Sequence, residues 1–249
     1  MLRSLTRALP VTLALASPAM ALDLDAMSDA ERDAFGAQVR AYLLENPEVL
    51  MEAIAVLDQR QAEAAAQGDS ALIAAHADAL YDYEGDWQGG NPEGDITVVE
   101  FMDYKCGYCR RAFPEVEELI ESDGNIRYIL KEFPILGEQS LMASQFALAV
   151  RALEGDAAYK QAHNALMTMR ADVSETSLEA LADSLDADFE AVQAEMKSPE
   201  VARIIAENRQ LAQAMQVSGT PSFVLGEQML RGYVPLAQMR ELVAKQRGE

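Results

Sequence analysis

The chain has 249 residues, enough for one large domain or two modest ones. Asp and Glu number 41 against 20 Lys and Arg, a formal net charge of −21. Phosphate binding works through clustered Lys and Arg, so this balance argues against nucleic acid as a partner; the charge favours solubility and mutual repulsion.

Arg3 and Arg7 give a short basic start, and Ala8 to Ala16 form an apolar stretch too short to span a bilayer. Ala19-Met20-Ala21 then supplies a small-x-small cleavage pattern. Residues 1–21 therefore predict a cleaved secretory signal peptide, with the exported mature protein starting at Leu22. Exported proteins meet an oxidising compartment, where structural disulfides usually bridge distant segments. The only two cysteines, Cys106 and Cys109, are instead three positions apart. A bridge that closes so small a loop adds little chain entropy, so the spacing suits redox chemistry better than stapling.

Residues 22–85 read as an all-helical extension rich in Ala. Ser28 and Glu31 match a capping box, and Phe35, Val39, Tyr42 and Leu43 follow at helical spacing. Asn46-Pro47 is expected to stop that helix and start the next, with Asn46 as N-cap. Leu50, Ile54, Leu57 and Ala64 make an apolar seam, Gly68 is expected to end the helix, and Ser70 to Tyr81 to form a third. The segment is too small to bury a core alone. Its stripe predicts packing either on the rest of the chain or on a second copy, giving a homo-oligomer through residues 22–85.

Gly89 to Asp95 reads as a turn-rich break. The next run, Ile96 to Met102, is nearly all β-branched or aromatic and suits a central strand covered on both faces. Cys106-Gly107-Tyr108-Cys109 opens a helix to about Ile120, and Ile126 to Ile135 is a second strand. Residues 138–217 read as helical, punctuated by Gly155, a Thr176 to Glu179 box and Ser198-Pro199. Ser222 to Leu225 and Gln228 to Arg231 predict a hairpin turning at Gly226-Glu227, before a closing helix over Pro235 to Gln246.

A strand feeding C-x-x-C at a helix N-terminus is the arrangement that activates a thiol. Free N–H groups and the helix dipole favour negative charge there, and thiolate is the nucleophile in disulfide exchange. Cys106 is then the attacking sulfur, and Cys109, one turn inside, the resolving one. Glu100 is the one charge in the first strand run. It either sits at a solvated strand edge or accepts the Cys109 proton, and its apolar flanks favour the second reading. A cis Thr220–Pro221 bond would let that loop face the sulfurs.

Together these features resemble the thioredoxin superfamily, in particular its DsbA-like exported branch, over residues 95–249. Phe101 to Arg110, with Leu43 to Leu50, is most similar to the ScsC-type subgroup, which carries an N-terminal helical extension and is linked to copper tolerance. The resemblance implies an α/β thioredoxin fold over residues 86–249 with a helical insertion at about 138–217. It makes Cys106 the nucleophile, Cys109 the resolver and Glu100 a buried carboxylate. Thr220-Pro221 is the substrate-receiving loop, with Gly107 and Tyr108 beside it. Strong oxidants of that branch carry His between the cysteines, whereas this chain has Tyr108. A weaker oxidant is expected, acting as isomerase or reductase on exported cysteine-containing proteins and served by a membrane redox partner. The alternatives are a DsbA-type dithiol oxidase or a Cu(I) binder using the same sulfurs, with Met102 assisting. Two cysteines with His76 and His163 make a poor zinc set; no cofactor and no resident metal are expected. Met142, Met167 and Met169 read as core filler.

Overall fold

The computed structural model describes residues 27–248, so the expected signal peptide over residues 1–21 lies outside the described residues. The chain divides into two compact units, Met1–Gln59 and Arg60–Glu249.

In the first unit, helix α1 (Asp29–Glu45) opens on the expected capping box. Ser28 N donates to Glu31 Oε2 at 2.8 Å, and Glu31 N to Ser28 Oγ at 3.4 Å. Asn46 corrects its expected role. Its backbone N–H and its Nδ2 both donate to Tyr42 O, at 2.8 and 2.9 Å, so it closes α1 rather than capping the next helix. The last carbonyls of a helix lack internal donors, and the Asn46 amide supplies one. Helix α2 (Glu48–Ala75) follows. Phe35, Val39, Tyr42, Leu50, Ile54 and Leu57 are all exposed, and α1 buries no residue.

Gly68 does not end α2, contrary to expectation, and the third helix shrinks to α3 (Ala77–Tyr81). A helical glycine costs only about 1 kcal/mol relative to Ala. Tertiary anchors follow at once: Asp69 takes a bidentate pair from Arg231 at 2.7 and 2.8 Å, and Ile73 is buried. Sequence propensity yields to packing here.

The second unit is built on a five-stranded sheet in the order β1-β3-β2-β4-β5. Its members are β1 (Trp87–Gly90), β2 (Ile96–Met102), β3 (Ile126–Glu132), β4 (Ser222–Leu225) and β5 (Gln228–Arg231). Strands β2 and β3 are parallel, joined across helix α4 (Gly107–Asp123), and the other pairs are antiparallel. Strand β1 corrects the loop expected from Gly89-Gly90, since it pairs antiparallel with β3 from Trp87↔Leu130 to Gly90↔Arg127. Glycine carries no strand signal, so only pairing with β3 reveals it. Gly90 has φ +68, and a Cβ there would collide with Ile126 O, so glycine is needed.

Alternation along the strands sorts the core into two layers. Val98, Met102, Tyr128, Leu130, Phe223 and Leu225 pack in one large cluster with residues of α4. Val99, Phe101, Ile129 and Val224 form the other with Ile73, Leu80, Leu211 and Met215. Lys131 is fully buried and reaches Asp86 and Ala79 O, tying the chain around α3 to the sheet.

The insertion holds α5 (Glu138–Glu154), α6 (Asp156–Thr168), α7 (Glu175–Ser184), α8 (Phe189–Glu195) and α9 (Pro199–Ala214). Helix α7 is capped by Ser174 with Ser177, not by the expected Thr176 to Glu179 box, which falls inside the helix; the Ser174 side chain reaches the free N–H first. Ser198 with Pro199 starts α9 as expected. The hairpin β4–β5 turns at Gly226-Glu227, and α10 (Leu236–Arg247) closes the chain. Met167 is buried, and Met142 and Met169 pack against the same core.

Candidate active site

Strand β2 delivers the chain to a tight turn. Asp103 is fully buried; its Oδ1 accepts from Lys105 N at 2.8 Å and its Oδ2 from Ile135 N and Leu136 N at 2.8 and 3.0 Å. Cys106 N closes the turn on Asp103 O at 3.1 Å. Cys106 is the N-cap of α4, which places the first backbone N–H groups of that helix around its sulfur. Both cysteines are free thiols, and Cys109 is fully buried.

The Thr220–Pro221 bond is cis, and Cys106 Sγ lies 3.1 Å from Thr220 O. Thus Cys106, Cys109, Thr220 and Pro221, separated by more than a hundred residues, meet at one place. Gly107 has open space where a Cβ would project. Tyr108 is 62% exposed, with its ring stacked on Tyr233 at 6.5 Å; Arg111 lies over the other ring of that pair, 4.3 Å from the Tyr233 centroid. Tyr233 Oη donates to Glu115 Oε1 at 2.5 Å, and Glu115 Oε2 accepts from Leu236 N at 2.6 Å.

The two sulfurs have opposite electrostatics. A hydrogen bond from the Cys109 side chain, with others from Thr220 and the Tyr108 and Cys109 backbone, brings the Cys106 thiol down to about 5 against the effect of burial. Burial pushes Cys109 far above the ordinary thiol range, helped by the Cys106 and Glu100 charges. Near neutral pH the first sulfur is therefore a thiolate and the second a thiol.

Glu100 is not at a solvated edge. It sits on the central strand β2, buried, with Oε2 accepting from Tyr128 Oη. Burial pushes its carboxyl up to about 7, against the lowering effect of that bond. Arg110, whose type suggests a surface charge, is committed to carbonyls: Nε to Tyr104 O at 2.7 Å and Nη1 to Met169 O at 2.6 Å. His163 is buried among Tyr104, Phe113 and Tyr159, and burial brings it down to about 3. Among the described residues no cluster of three or more His, Cys, Asp or Glu is placed to hold a metal ion.

Tyr128, Tyr104, Glu132 and Tyr233 escape sequence reasoning. Glu132 left only a weak signal there, because Arg127 and Lys131 share its strand run, whereas Glu100 is the single charge in its own.

A thiolate at a helix start, a buried partner thiol and a cis-Pro loop, on a parallel βαβ unit extended by an antiparallel hairpin, define a thioredoxin-fold thiol–disulfide oxidoreductase. The family model described as DSBA-like thioredoxin domain matches residues 97–244, and the chain belongs to that family. A second model, the copper resistance protein ScsC N-terminal domain, matches residues 31–64. A thioredoxin-like oxidoreductase from Silicibacter pomeroyi is 41% identical, over 69% of this chain and 98% of that one, with a TM-score of 0.65. Proteus mirabilis ScsC in a transitional conformation is 28% identical, over 90% and 98%, with a TM-score of 0.65. Among curated proteins, Na(+)/H(+) antiporter NhaA 1 of Salinispora arenicola is 33% identical over 134 residues, 54% of this chain. The chain spans only 20% of that relative's length. No helix among the described residues is long and apolar enough to cross a membrane.

Proposed function

We propose that this protein exchanges disulfides with exported proteins in the periplasm, working from the reduced state as an isomerase or reductase. The observation that supports this most strongly is the division of labour between the sulfurs: Cys106, beside the Thr220 loop, is brought down to about 5, while Cys109 is held as a buried thiol near Glu100.

The Cys106 thiolate attacks one sulfur of a substrate disulfide. A mixed disulfide forms, and the other substrate sulfur leaves as a thiolate that takes a proton from water. In isomerisation, a different substrate thiolate attacks the mixed disulfide, forms a new substrate bond and returns Cys106 as thiolate. In reduction, Glu100 accepts the Cys109 proton, directly or through a water. The Cys109 thiolate then attacks Cys106, the substrate departs reduced, and a Cys106–Cys109 disulfide remains. A membrane redox partner would supply two electrons to restore it. Gly107, Tyr108, Thr220 and Pro221 line the approach to Cys106, where an extended peptide can be held by backbone hydrogen bonds.

Tyr108 in place of His removes a stabiliser of the thiolate, which weakens the protein as an oxidant and favours the reduced-state reading over a dithiol oxidase. The exposed apolar stripe from Phe35 to Leu57 is proposed as the contact between copies, bringing several redox centres into one assembly. The purified reduced protein should recover activity from a scrambled-disulfide substrate, and a Cys106→Ser variant should not. Failure of the wild type rejects the isomerase reading. The ScsC N-terminal match lies at residues 31–64 and contains neither cysteine. A second reading is Cu(I) capture by the two sulfurs, supported by a thiolate and a thiol one helical turn apart. Binding there must displace the Cys109 proton, and Cu(I) held no more tightly than by Cys106→Ser rejects it.

A further inference from the structure

A second buried carboxylate lies on the same side of the sheet as Glu100 and has no part in the exchange chemistry. Glu132 ends β3 in register with Met102, two positions beyond Leu130, the register partner of Glu100. Its Oε1 accepts from Tyr104 Oη at 2.8 Å and from Tyr159 Oη at 2.7 Å. Tyr104 Oη also lies 3.1 Å from His163 Nδ1. Glu132 Oε2 is buried with Ser144 of α5 beside it, and among the described residues neither that oxygen nor Ser140 Oγ or Ser144 Oγ makes a hydrogen bond of ordinary length.

Of these groups only Tyr104 belongs to the turn that carries the nucleophile, and its grip on that turn is double. Its ring is fully buried with the hydroxyl on Glu132, and its carbonyl is held by Arg110. The turn then closes on Cys106 through Asp103 O. Tyr159, on α6, makes an equivalent bond to the same carboxylate oxygen but does not belong to the turn. The two tyrosines therefore form an internal comparison.

We propose that Glu132 is a positioning residue for the redox centre: through the Tyr104 hydroxyl it fixes the turn that presents Cys106 at the start of α4. The proposal rests on the reading of Cys106 as the reactive sulfur. The thiolate is supported by N–H groups whose direction depends on that turn, so a loosened Tyr104 weakens them. The hydroxyl has one proton to give. When Glu132 is charged, the Tyr104 hydroxyl donates to it. When Glu132 is protonated, it can donate to the phenol, which can then donate to His163 Nδ1 in the tautomer that carries its proton on Nε2. The groups acting on the Glu132 carboxyl are Asp103 and Tyr104 from the turn, Tyr159 from α6 and Ser144 from α5; His163 reaches it only through the Tyr104 hydroxyl, and Asn208 Nδ2 on α9 donates to the Glu132 backbone O at 3.3 Å. Among the described residues no Lys or Arg forms an ion pair with it, and burial pushes it up to about 7.

The test compares Tyr104→Phe, Tyr159→Phe and Glu132→Gln in the mature chain. The readouts are the Cys106 thiolate titration by ultraviolet absorbance, the equilibrium with glutathione, and thermal melting. Each tyrosine variant loses one bond to Glu132 Oε1, so the melting temperatures should fall by similar amounts. Tyr104→Phe should also raise the Cys106 midpoint by about half to one pH unit, the size expected for one lost hydrogen bond. Tyr159→Phe should leave that midpoint in place. Glu132→Gln should remove an inflection near neutral pH from the rate at which Cys106 attacks a small disulfide. The proposal is overturned if both tyrosine variants move the midpoint equally, if neither moves it, or if Glu132→Gln leaves the rate profile unchanged. The midpoint is read on the thiol itself, so a protein that fails as an isomerase would still show or lack this shift.

Discussion

Replacing Glu100 by Gln separates the cost of burying this carboxylate from its use. The folded protein raises the Glu100 carboxyl from an ordinary 4.5 to about 7, chiefly through burial. An acid whose folded value is raised binds its proton more tightly in the folded state. Below about 4.5 it is protonated in both states and costs nothing; as pH rises through about 7, stability falls. The full difference amounts to about 3 kcal/mol, an order-of-magnitude figure for a wholly buried group. Gln keeps the shape and an acceptor for Tyr128 Oη but carries no charge to desolvate. Glu100→Gln should therefore be more stable than wild type by roughly 2–3 kcal/mol at about pH 8 and nearly equal to it at about pH 4. Urea unfolding of the reduced protein at the two pH values measures this. The same substitution removes the proposed acceptor for the Cys109 proton. Release of a preformed mixed disulfide should slow by roughly 10²-fold, while the initial attack by Cys106 changes little. Equal stability gains at both pH values would refute the burial argument. Release at the wild-type rate would refute the proton-acceptor role.

Other consequences test neighbouring features. Cys109→Ala removes the largest stabiliser of the Cys106 thiolate, so the ultraviolet titration midpoint should rise from about 5 toward the ordinary thiol range; an unchanged midpoint would mean that the helix start alone sets it. Tyr108→His should lower that midpoint and shift the glutathione equilibrium toward the reduced protein, making a stronger oxidant; a shift the other way would mean that Tyr108 does not weaken the oxidant. A chain starting at residue 60 keeps Asp69, Ile73, Leu80 and Lys131 with its partner Asp86 but lacks the exposed stripe. Light scattering should find it monomeric and the full mature chain larger; two monomers would remove the assembly role. A start near residue 86 would strip Ile73 and Leu80 from the core and should cost roughly 2–5 kcal/mol per large apolar side chain lost.

Local chemistry made much of this protein legible. Cys106 and Cys109 stand three apart after a β-branched run, and a strand, turn and helix start can be read within a dozen residues. Thr220-Pro221 before an alternating hairpin is equally local. Glu100 stood out because a lone charge in an apolar run must be either exposed or used. The elements that escaped share one cause. Trp87 to Gly90 has one strand-favouring residue, Trp87, followed by two glycines that favour turns, and it becomes a strand by pairing along the edge of β3. Gly68 stays helical because Asp69 and Ile73 are held by distant partners.

The reactive pair, the order of most strands and helices and the strong negative charge can all be read along the chain, since each depends on residue types or on neighbours a few positions apart. It took the folded molecule to show that burial holds Cys109 far above the ordinary thiol range, that Glu100 lies against Tyr128, and that Tyr104, Glu132, Tyr159 and His163 come together near the redox centre. Proton affinities and buried hydrogen bonds depend on what surrounds a group in space, and those surroundings come from distant segments, 114 positions apart in the case of Cys106 and Thr220.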